Sequence, residues 1–132
     1  MQGLDQEFSA EDLKNLDSEG RCVITLHKMA LKNGRKQVAI FNLYCPRADP
    51  EKPERQIYKL QFYKALEIRA NNLLKDGVDV IVVGDINTSH REIDHCDPYE
   101  EFGETASRKW MDHFLVSYFA VFDAHCEISQ AS

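Results

Sequence analysis

Residues 78–87, Val-Asp-Val-Ile-Val-Val-Gly-Asp-Ile-Asn, decide the fold of this chain. Their β-branched run lies between two glycines, which is typical of a short buried strand. The preceding residues 54–75 repeat apolar side chains every three or four positions, which predicts a long amphipathic helix. Before that helix, residues 36–44 are predicted to form another strand. Strand, helix and strand make a βαβ unit, so the sequence predicts an α/β fold in which both strands are parallel.

The predicted helix 54–75 has one apolar side and several polar faces. Seven residues fall at the spacing of its apolar side: Ile57, Leu60, Tyr63, Leu66, Ala70, Leu73 and Leu74. The charged residues are expected on the other faces, and among them are Arg55, Lys59, Glu67 and Arg69.

A hairpin is predicted upstream of the helix. Residues 22–27 alternate in the manner of a strand, and Asn33-Gly34, which follows them, is a strong signal for a tight turn. Residues 1–20 are acidic and polar, so we expect a surface segment there. Within it, Ser9 and Asp12 have the spacing of a weak capping box and predict a short helix.

The residues after the βαβ unit are more polar. A loop is expected over 86–105 and a helix over 108–118. In that helix, Trp110, Phe114 and Leu115 are predicted to face inward.

The βαβ unit has a consequence for function. Because its two strands run the same way, their carboxyl ends meet at one edge of the sheet, where α/β proteins usually bind ligands. Tyr44 ends the first strand and Asp85 follows the second, so these residues are expected side by side although they are far apart in sequence.

Composition and charge bound the function. The 132 residues suffice for one compact core, and their apolar runs are too short to cross a bilayer. No secretory signal is present at the N-terminus, so the cytosol, the nucleus or an organelle is the expected location. The formal net charge of −6 argues against a purely electrostatic nucleic-acid binder, although a bound cation would relax that constraint.

Two groups of residues have the chemical types that occur in metal sites. The four cysteines lie far apart, without paired histidines at finger spacing, and are interpreted as reduced thiols: Cys22, Cys45, Cys96 and Cys126. A polar loop is favoured over a dedicated zinc site for the cluster of His90, Asp94, His95 and Asp97.

The tetrapeptide Gly84-Asp85-Ile86-Asn87 is the sharpest chemical feature. If the chain stays extended, Asp85 and Asn87 point the same way. The carboxylate could then accept a proton from water or hold a metal, while the amide positions water or a phosphate oxygen. The competing interpretation is an Asx turn that ends the strand, and the tetrapeptide alone does not decide between them.

A longer match favours function. Residues 84–94, Gly-Asp-Ile-Asn-Thr-Ser-His-Arg-Glu-Ile-Asp, resemble the G-D-x-N-x-x-H-x-x-I-D segment of AP endonucleases of the exonuclease III family. Residues 42–46, Asn-Leu-Tyr-Cys-Pro, resemble the N-x-Y-x-P segment of the same family. The two segments come in the family's order and are separated by a helix of suitable length.

The resemblance implies a part of a four-layered α/β sandwich of the endonuclease/exonuclease/phosphatase type. It also implies Mg²⁺, with Mn²⁺ as a substitute, a nuclear location with mitochondrion or cytoplasm as alternatives, and DNA with abasic sites or blocked 3′ ends as substrate. Carried over, Tyr44 would contact the reacting phosphate, Asp85 would exchange a proton near the water and the metal, and Asn87 would orient water, phosphate or metal-bound solvent. His90 and Asp94 would fix the loop rather than act directly. No membrane or protein partner is implied.

The chain also departs from the family. The family's N-x-D, Q-E and S-D-H segments have no match, and Asp123-Ala-His125 does not replace the last of them. We therefore expect residues 1–132 to be a single, incomplete catalytic domain, with its core over 21–118 and an atypical tail over 119–132, inactive alone. A catalytically dead isoform or binding remnant, and a phosphoesterase of the same superfamily with a non-DNA substrate, remain alternatives.

Overall fold

A computed structural model of the chain describes residues 3–32, 34–96 and 102–118. These residues divide after Asn87 into two compact units. The first unit contains two short helices, three strands and one long helix, in the order α1 (Leu4–Glu7), α2 (Ala10–Ser18), β1 (Cys22–Leu31), β2 (Gly34–Tyr44), α3 (Pro53–Lys75) and β3 (Asp79–Asp85). The second unit contains two 3₁₀ turns, Glu92–Asp94 and Phe102–Glu104, and the helix α4 (Ala106–Tyr118).

The three strands form one sheet in the order β1-β2-β3. β1 and β2 are antiparallel, and Leu31 pairs with Gly34 at their closed end, which confirms the predicted hairpin. Gly34 already belongs to β2, whereas Asn33, the other residue of the predicted turn, lies outside the described residues. β2 and β3 are parallel and α3 connects them, so the predicted βαβ unit is also confirmed.

One face of the sheet holds the core of the first unit. Ala39 and Phe41 in β2 are fully buried, and Leu43 is nearly so. Phe41 and Leu43 line one small cavity together with Phe62 and Leu66 of α3, which places this helix over the same face. The buried area stabilises the unit by about 25 cal/mol per Å² of apolar surface removed from water.

The buried side of α3 differs from the prediction. Its buried residues are Lys59, Phe62, Tyr63, Leu66 and Ala70. The assignment of Lys59 to a polar face was therefore wrong, and Ile57, which was assigned to the apolar side, is 59% exposed. The stripe that starts at Lys59 also follows helical spacing, and the long aliphatic stem of lysine packs like an apolar side chain.

The other face of the sheet remains open in the first unit. Val23, Ile81 and Val83 each expose 45% or more of their surface. They share this face because Val23 and Val83 both pair with Asn42, while Ile81 pairs with Ile40 two positions earlier in β2. We call Val23, Ile81 and Val83 the exposed face.

Helix α2 begins as predicted. The Ser9 hydroxyl accepts a hydrogen bond from the Asp12 backbone N–H at 3.1 Å, and the Asp12 carboxylate accepts one from the Ser9 backbone N–H at 2.9 Å. This is a complete capping box, which satisfies two backbone donors that the first turn of a helix would otherwise leave unpaired. Within the described ranges, none of the helices combines the length and the hydrophobicity that a membrane span requires.

Helix α4 begins two residues earlier than predicted and buries different side chains. Phe114 is buried as expected, but Trp110 and Leu115 are only half-buried, while Arg108 and Met111 are buried. Arg108 is held because its Nη1 donates to the Phe102 carbonyl at 2.9 Å and its guanidinium lies 3.6 Å from the centre of the Phe102 ring. The tail 119–132 lies outside the described residues.

Candidate active site

Tyr44 and Asp85 are register partners at the carboxyl ends of β2 and β3. The Cys45 backbone N–H donates to the Asp85 carbonyl at 2.8 Å, so backbone pairing continues past the end of β2. The predicted side-by-side position of Tyr44 and Asp85 is thereby confirmed. Their role in a site stays a prediction.

Gly84 makes this close approach possible. Its φ angle is +111°, and a Cβ atom at this position would lie 2.1 Å from the Leu43 carbonyl oxygen. No other residue type can place a side chain in that space, and an L-residue would also resist this φ angle. The glycine therefore allows β3 to pack closely against β2 at the residue before Asp85.

The chain turns immediately after Asp85. Asn87 has a φ angle of +55°, and its backbone N–H donates to Asp85 Oδ1 at 2.8 Å. Of the two alternatives that the sequence left open, the structure shows the Asx turn rather than a chain that stays extended through Asn87. Asparagine tolerates the left-handed region better than most residues. The hydrogen bond of the turn fixes Asp85 Oδ1 and does not involve Asp85 Oδ2.

The Asn87 side chain points back to the loop after β2. Its Nδ2 donates to the Cys45 carbonyl at 2.8 Å, so the two strand exits are joined by a side chain as well as by backbone. The Cys45 thiol itself is buried, and burial raises its pKa to about 12. A thiol with so high a pKa is unsuited to act as a nucleophile at neutral pH.

Two residues of α3, which the sequence did not indicate as functional, donate hydrogen bonds to the backbone of this turn. Lys59 Nζ donates to the Asn87 carbonyl at 2.6 Å, and the Tyr63 hydroxyl donates to the Ile86 carbonyl at 2.6 Å. Lys59 is only 3% exposed and Tyr63 is fully buried. No signal in the sequence distinguished Lys59 from the other charged residues of α3, because its burial depends on a carbonyl that is distant in sequence.

Tyr44 faces outward from the edge of the sheet. It is 60% exposed, which excludes the alternative of a core tyrosine. The Arg21 guanidinium lies 5.3 Å from the centre of its ring, and Arg21 Nη1 donates to the Tyr44 carbonyl at 3.1 Å. A positive charge therefore stands beside the candidate phosphate contact.

His90 and Asp94 belong to the second unit. His90 Nε2 lies 2.7 Å from Asp112 Oδ1 of α4, and Asp94 accepts a hydrogen bond from the Arg91 backbone N–H at 3.1 Å. Both side chains therefore bond to neighbours within their own unit. Their predicted loop-fixing role stays a prediction.

The described residues offer few metal ligands. No group of three His, Cys, Asp or Glu side chains within them could hold an ion, and Asp97 of the proposed cluster lies outside the described residues. Asp85 Oδ2 and Asn87 Oδ1 are nevertheless oxygen donors of the kind that Mg²⁺ prefers, and Mg²⁺ commonly keeps water and substrate oxygens as its remaining ligands. By the chemical type of these oxygens, the two residues are suited to supply part of a magnesium ligand set.

Comparison with known proteins identifies relatives of the chain. It is 48% identical over 116 residues to the Xenopus laevis "DNA-(apurinic or apyrimidinic site) endonuclease 2". The human protein of that name is 50% identical over 112 residues, and the Saccharomyces cerevisiae one is 34% identical over 99 residues. No protein-family model matches the chain.

A solved structure agrees with these sequence matches. The crystal structure of the Xenopus laevis APE2 catalytic domain superposes with a TM-score of 0.77 and 48% identity, over 83% of this chain and 35% of that domain. The chain spans 22% of the length of the Xenopus and human relatives, although the matches cover 86% and 83% of the chain itself.

Proposed function

We propose that this chain, a homologue of DNA-(apurinic or apyrimidinic site) endonuclease 2 over most of its length, supplies part of the active site of a metal-dependent phosphodiesterase. The proposed substrates are DNA strands with abasic sites or blocked 3′ ends, in base excision repair. The observation that carries the proposal is the pairing of Tyr44 with Asp85 at the carboxyl edge of parallel strands. Homology at this level supports the same assignment.

The proposed chemistry is hydrolysis by an activated water. The water oxygen attacks phosphorus, and the bond from phosphorus to the leaving oxygen breaks. Asp85 accepts the proton that the water loses, and the leaving oxygen takes up a proton from solvent. The Tyr44 hydroxyl contacts a phosphate oxygen, and the Asn87 side chain orients water or phosphate. Polar donors fixed where charge develops lower the barrier because they need no rearrangement during the reaction.

Asp85 and Asn87 would hold Mg²⁺, or Mn²⁺ in its place. When bound, the ion supplies positive charge that stabilises the oxygens of the reacting phosphate. The turn at residues 85–87 supports this role because its hydrogen bonds use Asp85 Oδ1 and Asn87 Nδ2 and leave one oxygen on each side chain.

The proposed architecture is a four-layered α/β sandwich within which residues 1–132 form one incomplete catalytic domain. Its support is the exposed face of the three-stranded sheet, because sandwiches bury such apolar faces against a second sheet. His90 and Asp94 would keep the loop after β3 in shape. The proposed location is the nucleus, with the mitochondrion or the cytoplasm as alternatives.

A non-enzymatic role is a second candidate. One observation favours it: within the described ranges, Asp85 and Asn87 have no further carboxylate or histidine with which to form a metal cluster. Under this alternative, the chain binds its ligand but does not hydrolyse it.

The test uses the full-length protein encoded by the transcript that carries this sequence. Its turnover is measured with Mg²⁺ on a duplex containing one abasic site, on the same duplex without the site, and on a phosphoinositide. We expect incision of the abasic duplex alone. Turnover of the phosphoinositide instead would assign the chain to a different substrate class, and binding without turnover of any substrate would support the non-enzymatic role.

A further inference from the structure

We propose that a cavity beside Tyr44 binds a phosphate of the nucleic-acid strand next to the phosphate that reacts. This basic cavity has a volume of about 400 Å³ and is lined by Arg21, Tyr44, Arg47, Asp49, Lys52 and Arg55, among others. The inference rests on the proposed function, because Tyr44 is the wall that the cavity shares with the candidate active site. A volume of this size matches sites that bind small ligands.

The charge of the basic cavity points to an anion. Four of the side chains that line it are cationic, whereas Asp49 is the one carboxylate in the lining. This concentration contrasts with the whole chain, whose formal net charge is −6. Arginine and lysine in such numbers are typical of phosphate recognition, since they bind phosphate oxygens by charge and by hydrogen bonds.

Two of the four cations are held in place by a carboxylate behind them. Arg55 Nη1 and Nη2 lie 2.6 Å and 3.2 Å from the two oxygens of Glu19, and Arg21 Nε also bonds to Glu19. Glu19 does not line the cavity, so it orients Arg21 and Arg55 from outside. Side chains that are held in advance lose less conformational entropy when a ligand binds.

The other two cations are not held. Arg47 and Lys52 are exposed, and neither side chain forms an ion pair with any residue in the part of the chain that the structure describes. They stand in the loop that follows Tyr44 and at the residue before α3. The positive end of this 23-residue helix therefore adds to their field.

The position of the basic cavity, next to Tyr44, indicates which kind of phosphate ligand it binds. Arg21 reaches both the cavity and the ring of Tyr44, so a phosphate bound there is adjacent to the one that Tyr44 would contact. Adjacent phosphates on one backbone are the repeating feature of a nucleic-acid strand. The cavity would bind the strand without reading its sequence, because phosphate contacts position a strand and carry no base information.

The test compares two double variants of the full-length protein. Arg47→Gln with Lys52→Gln removes the two unpaired cations of the cavity. Lys28→Gln with Lys75→Gln removes the same charge from exposed positions in β1 and at the end of α3. Binding to a labelled duplex with a non-cleavable abasic analogue is measured by fluorescence anisotropy, without divalent metal, across a series of salt concentrations.

We expect the cavity variant to bind about tenfold more weakly at low salt, with a log–log salt dependence shallower by about 1 for each phosphate that the variant no longer neutralises. The Lys28/Lys75 variant should match the wild type. Equal behaviour of the two variants overturns the inference, as does a wild-type protein that does not bind the duplex. A soluble inositol phosphate is titrated in parallel as a second probe. A cavity variant that loses affinity for this probe but not for the duplex also overturns the inference, because the ligand would then not be a nucleic-acid strand.

Binding and turnover fail separately in this design. If the cavity variant binds weakly while the wild type cleaves no DNA, the proposed function fails, and only the binding of strand phosphates by the cavity stands. If the wild type cleaves DNA and the cavity variant binds as well as the control, the phosphate site fails and the proposed function stands.

Discussion

Gly84 sets the distance between β2 and β3 at the residue before the candidate acid. Replacing it with alanine brings a methyl group within 2.1 Å of the Leu43 carbonyl oxygen and strains the φ angle of +111°. We expect Gly84→Ala to destabilise the fold by about 3 kcal/mol or more, because both the clash and the strain must be relieved. Urea denaturation of the full-length protein with and without the substitution measures this loss.

Gly77→Ala is the matched control for this change. Gly77 also has a positive φ angle, +76°, but a Cβ atom there would meet nothing within 4 Å. It should therefore lose only the strain contribution, about 1 kcal/mol. Equal losses at the two positions would show that Gly84 is not packed against β2 as described.

Glu19 makes the pH dependence of stability predictable. Its hydrogen bond to Arg55, together with Arg21, lowers the pKa of Glu19 from 4.5 to about 2. A group whose pKa is lower in the folded state stabilises that state above the unfolded pKa, and the contribution is lost as the pH falls from about 4.5 to about 2. At neutral pH we expect Glu19→Gln to cost about 1 kcal/mol, since solvent screens this half-open site.

The measurement is the unfolding free energy of the wild type and of Glu19→Gln at several pH values. The difference between them should shrink as the pH approaches about 2. Glu51→Gln, an exposed carboxylate at the neighbouring loop, provides the control and should show a smaller difference. A Glu19→Gln difference that stays constant with pH would contradict the account.

Among the elements, α3 is the one that supports the candidate active site. Tyr63 donates to the Ile86 carbonyl, inside the turn that carries Asp85 and Asn87. In the full-length protein we expect Tyr63→Phe to lower kcat about tenfold with little change in KM, because a 1.4 kcal/mol loss of positioning is a tenfold loss of rate. Steady-state incision of an abasic duplex measures both constants.

The same helix offers a control with the same chemical change. The Tyr58 hydroxyl donates to the Leu16 carbonyl at 3.2 Å, away from the turn. Each of the two substitutions removes one hydrogen bond and should therefore lower the free energy of unfolding by roughly 0.5–1.5 kcal/mol. Tyr58→Phe should, however, leave kcat unchanged. If both variants lose activity equally, the effect of Tyr63 is general destabilisation rather than positioning.

The elements differ in how far sequence predicts them. The hairpin and the βαβ unit were predictable because Asn33-Gly34 and the apolar spacings are local signals. The buried side of α3 was not predictable, because a lysine is ordinarily assigned to the solvent-facing side of a helix. Lys59 can be buried because its ammonium group donates to a carbonyl 28 positions away in sequence. The Asx turn could not be distinguished from a catalytic arrangement by sequence alone, because the short polar side chains of Asp85 and Asn87 are suited to both.

At the scale of the whole molecule, the exposed face determines what the isolated chain can do. Residues 1–132 alone should cleave little or no abasic DNA with Mg²⁺ or Mn²⁺ and should fold poorly. Val23, Ile81 and Val83 would remain uncovered, and apolar faces of this kind favour aggregation. Asp85 and Asn87 are also too few ligands to hold Mg²⁺ firmly.

The purified 132-residue chain is assayed for incision and 3′-end removal, and its thermal unfolding is followed in parallel. The full-length protein serves as the positive control. A sharp cooperative transition together with metal-dependent cleavage by the 132 residues would show that the site is more complete than the described residues indicate. The sandwich could be expected from sequence only through resemblance, because the residues that would cover the exposed face are not identified by any local pattern.

Asp85→Asn in the full-length protein is the decisive substitution for the proposal that Asp85, beside Tyr44, takes part in phosphodiester hydrolysis. The change is nearly isosteric and can keep the bond from the Asn87 N–H, but it removes the proton acceptor and a charge near the metal. Single-turnover incision of an abasic duplex with Mg²⁺ is compared with binding of the same duplex without metal. We predict a loss of turnover of about 10²–10⁴-fold with binding largely retained. Turnover close to that of the wild type would contradict the assignment.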